Sequence, residues 1–175
     1  MATQPFVDLL PPYYDAAASA KNNFTSITDI GMGVNPSIPA VKNKGQRWRF
    51  TAWGLLSTTG TPNITLSICY GTTATVLAAT AATATGSGVS NVPWRIELNT
   101  VFYTIGSSGT AASQGFWWLG TSVSAWTSLP VPATALATVT VDNTTAKDAI
   151  IAATWSAASA SNTITCWDFM AERLN

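Results

Sequence analysis

Eight carboxylates, two thiols and no histidine are what this 175-residue sequence offers for acid–base, nucleophilic or metal chemistry. Without imidazole there is no Ser-His-Asp or Cys-His machinery, and the commonest general base is missing. Carboxylate pairs remain, because two acids suffice for glycoside hydrolysis. The acids are Asp8, Asp15, Asp29, Glu97, Asp142, Asp148, Asp168 and Glu172, and no two stand at a spacing that marks an acid–base pair. Asp142-Asn143 reads as a turn and Glu172-Arg173 as an exposed end. Glu97, between Ile96 and Leu98 and near Arg95, reads as the polar face of a strand. Cys69 and Cys166 alone cannot complete a tetrahedral zinc site of Cys and His ligands. They read as buried thiols inside strands, with a disulfide between them left open. Gly31-Met32-Gly33 and Gly86-Ser87-Gly88 lack the Lys-Ser/Thr of a phosphate-binding loop. The sequence therefore predicts a non-enzymatic protein with no catalytic residue, no metal and no cofactor.

Lys and Arg together number eight, as do Asp and Glu, so the formal net charge is zero. Nucleic-acid binding draws most of its affinity from clustered positive charge. Positions 42–49 hold Lys42, Lys44, Arg47 and Arg49, which read as the solvated start of a strand. No nucleic-acid partner is expected. No membrane partner is expected either, because no apolar run approaches the roughly 18 residues of a spanning helix. The start, Met-Ala-Thr-Gln-Pro-Phe, has no basic segment followed by a long apolar run, so no secretory signal is expected. Charged residues make up only 9% of the chain, against about 25% in an average soluble domain. Thr, Ser, Ala and Gly take their place. Small neutral side chains cost little to desolvate when another protein covers them, which points to a life in contact with protein.

The elements that position these residues read as strands. Residues 1–45 form an expected extended arm, since Pro5, Pro11, Pro12, Pro36 and Pro39 exclude continuous helix or central sheet. Short strands within it are expected near 26–30 and 37–41. Residues 46–57 put Trp48, Phe50, Ala52 and Leu56 on one side and Arg47, Arg49, Thr51 and Trp53 on the other. Residues 63–70 alternate Ile64, Leu66, Ile68 and Tyr70 with Thr65, Ser67 and Cys69, the period of a half-buried strand. The Thr58–Pro62 turn between the two predicts a hairpin. Further strands are expected at 75–79, 94–105, 110–119, 135–141, 148–156 and 162–174. Residues 120–132 read as a loop, and 157–161 as a tight hairpin turn. The expected fold is all-β, a single antiparallel β-sandwich of jelly-roll type over residues 46–175, preceded by the 1–45 arm.

Aromatic residues remain to be placed, eight of them Trp. Trp117 and Trp118 are neighbours and must point to opposite faces of a strand, so one suits a core and the other a surface. Trp48, Trp53, Trp117, Trp118 and Trp126 would suit a sugar-stacking platform. The favoured alternative is a core plus a subunit interface, where aromatic residues are enriched. The candidate contact residues are Phe6, Leu9, Leu10, Tyr13, Tyr14 and Phe24 in the arm, and Trp117, Trp118 and Trp126 in the domain. Whether the arm packs on its own chain or on a neighbour stays open.

Two stretches carry a family resemblance. Ile38-Pro39-Ala40, Lys44-Gly45-Gln46-Arg47-Trp48-Arg49-Phe50-Thr51-Ala52-Trp53-Gly54 and Gly60-Thr61-Pro62-Asn63-Ile64-Thr65-Leu66-Ser67-Ile68-Cys69-Tyr70-Gly71-Thr72 form the first. Thr154-Trp155-Ser156-Ala157-Ala158-Ser159-Ala160-Ser161-Asn162-Thr163-Ile164-Thr165 is the second. Over about residues 36–170 the chain resembles β-sandwich structural proteins of tailed bacteriophages, of the capsid-decoration, head-fibre and minor-tail kind. The resemblance implies a virion component on the capsid surface, forming a homotrimer and binding the major capsid protein or another virion protein. A minor tail or fibre-associated protein is the nearest alternative. A carbohydrate- or receptor-binding β-sandwich module is the next.

Overall fold

A computed structural model describes residues 20–31, 33 and 35–175. Its described part is all strand and turn. Three two-residue strands come first: β1 (Lys21–Asn22), β2 (Thr28–Asp29) and β3 (Ser37–Ile38). The long strands begin with β4 (Gln46–Ser57), β5 (Asn63–Tyr70) and β6 (Thr72–Ala79), followed by the short β7 (Thr83–Ala84). Then come β8 (Val92–Thr104), β9 (Gly109–Ser122), β10 (Ala125–Val131) and β11 (Thr138–Val141). The last two are β12 (Lys147–Trp155) and β13 (Thr163–Arg173).

These strands make two antiparallel sheets. The larger runs β1-β13-β4-β8-β9-β10, with β11 also pairing with β9. The smaller runs β2-β12-β5-β6, with β3 beside β12 and β7 beside β5. One hydrophobic core lies between them. Trp48, Phe50, Ala52 and Leu56 enter it from β4, and Trp94, Ile96, Leu98 and Phe102 from β8. Ile64, Leu66 and Ile68 meet them from β5, and Ile151 and Trp155 from β12. Strict alternation in β4 and β8 is what allows this. Every second side chain is buried and the others face outward.

Several expectations are corrected. Residues 46–57 and 63–70 are strands with the expected bounds, but they are not a hairpin. β4 pairs with β13 and β8, while β5 pairs with β12 and β6. The Thr58–Pro62 segment crosses from one sheet to the other, held where the Thr58 amide donates to the Val89 carbonyl (2.9 Å) and its hydroxyl to the Gly86 carbonyl (3.1 Å). Residues 157–161 likewise join strands of different sheets rather than closing a hairpin. The expected loop at 120–132 contains β10, whose Pro130 lies on a strand paired among the described residues with β9 alone, where a missing N–H is tolerated. Asn143 lies in the turn between β11 and β12, as expected, and is fully buried there. Its side chain accepts from the Gly106 amide (3.0 Å) and donates to the Thr104 carbonyl (2.9 Å), pinning the β8–β9 turn. Within residues 20–45, Ile30, Ile38 and Val41 belong to the core, and β1, β2 and β3 pair with the border strands β13 and β12.

Candidate functional site

The two sheets differ on their outer faces. On the smaller sheet the outward Cys69, Ile150 and Ala152 form a second small cluster, covered by Ile27 and Val76. On the larger sheet the outward apolar side chains stay open. Trp53, Phe116, Trp126, Trp167 and Met170 are each between 41% and 50% exposed. Large contiguous apolar patches are rare on soluble monomers and mark contact sites.

Register explains why these residues meet. The outward pairs of β8 and β9 are Arg95 with Trp118, Glu97 with Phe116, and Asn99 with Gln114. Crossing to β4 adds Trp53 beside Arg95, Thr51 beside Glu97 and Arg49 beside Asn99. Crossing again to β13 adds Asp168, Met170 and Glu172. On the other side, β10 brings Ser128 next to Trp118 and Pro130 next to Phe116. A β-bulge in β13 between Cys166 and Asp168 leaves Trp167 as an additional residue. Its ring lies 5.8 Å from that of Trp53, tilted by 59°.

Polar groups fix this face without covering it. The Trp53 Nε1–H donates to Asp168 Oδ2 (3.2 Å). Arg95 donates to Glu97 Oε2 (3.2 Å) while its guanidinium carbon sits 5.6 Å from the Trp118 ring centre. Arg49 stands 3.8 Å from Glu97 and 3.7 Å from Glu172. Such exposed pairs contribute little stability, about 0–1 kcal/mol each, but they hold the side chains in place. A shallow groove of about 290 Å³ runs among Glu97, Asn99, Gln114, Gly115, Phe116 and Trp118.

The candidate contact residues separate accordingly. Trp118 and Trp126 lie on the open face, Trp118 half-buried beneath Arg95. Trp117 does not: it is wholly buried between the sheets, because its phase in β9 is opposite to that of Trp118. Phe24 is half-buried against the main core. Phe6, Leu9, Leu10, Tyr13 and Tyr14 lie outside the described residues. Of the residues weighed as a sugar platform, Trp48 is also core. Phe116, Trp167 and Met170 were not singled out by sequence. For Trp167 the available signal was a slip in the inward phase, from Ile164 and Cys166 to Phe169 and Ala171.

Reactive groups are scattered or sealed. Cys69 and Cys166 are free and buried in different clusters. Burial pushes both thiols up to about 12, far from a nucleophilic state. Thr144 hydrogen bonds to Asp142 hold that carboxyl below its ordinary range, as in a turn. Among the described residues no three His, Cys, Asp or Glu side chains gather as a metal site would need. No described helix is long and apolar enough to cross a membrane.

Fold and face together define an all-β, two-sheet protein whose larger sheet exposes several large apolar side chains on its outer face among the described residues. No protein-family description, curated protein or solved structure matches the chain.

Proposed function

We propose that this chain is a structural subunit of a phage virion, a decoration protein that binds the outer surface of the head and bridges coat subunits. The observation that carries the reading is the open outer face of the larger sheet, with its five half-exposed large apolar side chains, in a chain of zero net charge. Burying such side chains against protein yields roughly 25 cal/mol per Å² of apolar surface. Strand order supports the jelly-roll form of the fold. Setting aside β3, β7 and β9–β11, the sheets run β1-β13-β4-β8 and β2-β12-β5-β6, so first and last strands are neighbours in one sheet and the second and next-to-last in the other. The partners in this reading are the major capsid protein, or another virion protein, and further copies of the chain.

The test is co-sedimentation of the purified protein with emptied phage heads, followed by imaging of the decorated particle. Saturable attachment at symmetry-related positions on the head supports the reading, whereas density on the tail moves the protein to the minor-tail or fibre-associated class. Removing residues 1–19 tests the arm, and the cut stops there because residues 20–45 contribute Ile30, Ile38 and Val41 to the core. A second reading, a saccharide- or receptor-binding module, is favoured by the groove beside Phe116, which joins aromatic rings to the polar ends of Glu97, Asn99 and Gln114. Saturable binding on a glycan panel, lost in Phe116→Ala, would select it.

A further inference from the structure

We propose that one end of the sandwich, where residues 42–47 and 173–175 lie together, is a basic docking site for an acidic protein surface; the inference rests on reading the chain as a subunit that attaches to another protein. Cations are few in this chain and unevenly used. Of its eight Lys and Arg residues, Arg49, Arg95 and Lys147 stand in ion pairs with Glu97, Glu172 or Asp142. Lys42, Lys44, Arg47 and Arg173 are exposed, and none of them forms an ion pair among the described residues. All four gather at this end.

Hydrogen bonds from distant parts of the chain build the cluster. The Gly45 amide donates to the Phe102 carbonyl (2.7 Å), tying the turn before β4 to the end of β8. The Leu174 amide donates to the Arg47 carbonyl (3.0 Å) and the Arg47 amide to Asn175 Oδ1 (2.7 Å), which brings Arg173 to the same turn. Gln46 Oε1 accepts from the Lys42 amide (3.4 Å). The backbone that carries the four cations is thus ordered before a partner arrives, which lowers the cost of binding. Tyr103 and Ile105 are exposed just beyond Phe102 and add apolar contact area to the patch.

Acids do not cancel this charge. Asp142 is engaged by Lys147 (3.6 Å) and Glu172 by Arg49 (3.7 Å), which leaves Asp148 as the one acid at this end without an ion pair among the described residues. The opposite end differs: its loops at 57–62, 85–91 and 156–162 contain no charged residue. They meet where the Thr58 amide donates to the Val89 carbonyl (2.9 Å) and the Thr59 amide to Asn162 Oδ1 (3.3 Å). An acidic surface therefore steers the basic end toward itself. The same observations choose the occupant. A second copy has no cluster of free acids to offer among the described residues, since Asp29 and Asp168 are bonded to Asn35 and Trp53 and Glu97 is paired. A nucleic acid presents phosphate continuously and calls for a long basic track, whereas this patch is compact and has Asp148 beside it. Exposed Tyr next to Arg is the composition of a protein contact.

Fluorescence anisotropy of the purified full chain with a labelled polyglutamate peptide tests this, with labelled single-stranded DNA alongside. The parent protein should bind the peptide at ~20 mM NaCl and lose most of that binding at ~200 mM, as the Debye length falls from about 20 Å to about 7 Å. The double variants Lys42→Gln/Lys44→Gln and Arg47→Gln/Arg173→Gln, with the parent circular-dichroism spectrum, should each bind about fivefold more weakly. Lys21→Gln, near the uncharged end, should bind as the parent does. If one double variant loses its fold, the other carries the test. No binding at low salt, or double variants that match Lys21→Gln, overturns the inference, and DNA held more tightly than the peptide overturns the choice of an acidic protein. Head co-sedimentation of the same proteins separates the two ideas. Double variants that attach to heads as well as the parent overturn the docking site and leave the proposed function standing. A parent that ignores heads, yet binds the peptide through these four cations, upholds the site and overturns the proposed function.

Discussion

Replacing Gly115 by alanine probes a close approach between two long strands. An ideal Cβ at Gly115 would strike the backbone carbonyl oxygen of Glu97 on β8 and press on the Cα of Leu98. These are main-chain atoms of the hydrogen-bonded neighbour, so no side chain can swing aside. Overpacking of this kind costs about 1–3 kcal/mol, and relief by parting β8 from β9 loosens one or two ladder hydrogen bonds at about 1 kcal/mol each. A loss of roughly 2–5 kcal/mol follows, which for a domain of this size lowers Tm by about 4–20 °C. Gly60 is the control. It has φ of +72° and nothing within 4 Å of an added Cβ, so alanine there meets only the left-handed backbone penalty, about 1–2 kcal/mol. Thermal unfolding followed by near-ultraviolet circular dichroism compares the two. A Gly115→Ala protein that melts within about 2 °C of the parent, or above Gly60→Ala, would refute the proposed strand contact.

Other expectations follow from the same structure. The Trp94 Nε1–H donates to the Leu55 carbonyl (3.3 Å), whereas the buried Trp117 Nε1 finds no partner among the described residues. Trp94→Phe should therefore destabilise by roughly 1 kcal/mol more than Trp117→Phe in urea titration, and a reversed order would contradict the bonding described. Asn143→Ala leaves the Gly106 amide and the Thr104 carbonyl without their side-chain partner; equilibrium unfolding should show a loss of about 2–3 kcal/mol, and a change under ~0.5 kcal/mol would count against the pin. Both thiols have folded pKa values near 12 against an ordinary 9.0. The native state thus keeps protons that the unfolded chain gives up, so stability is intact below pH 9 and falls as pH climbs toward 12. Urea midpoints across that window check the sign, and Cys69→Ala should flatten the slope. Trp167→Glu, on the open face, should shift stability by no more than about 0.5 kcal/mol while abolishing attachment to phage heads.

Much of the fold was legible because alternation reports which way a side chain points. Trp48, Phe50 and Ala52 face inward and Arg49, Thr51 and Trp53 outward, as period 2 requires. Alternation is silent about which strand lies alongside. β4 and β5 follow one another in the chain yet stand in opposite sheets, and β12 and β13 do the same. Local turn residues suggested hairpins at both places, and the choice of sheet depends on contacts far away in sequence. β10 was hidden by Pro130 and Pro132, residues that a border strand accepts and a central one does not. The candidate site was half visible. Trp118 follows from the phase of β9 and Trp53 from that of β4, but Trp167 reaches the surface only through a bulge that breaks the period.

That bulge also governs how the molecule ends. β1 pairs with β13 at Ile164 and Thr163, and from Thr165 onward this margin of the sheet carries no further strand among the described residues. An additional residue twists the backbone there, and the bulky indole projects beside it, which frustrates flat lengthwise growth by an incoming peptide. An edge of this kind disfavours cross-β pairing between neighbouring copies.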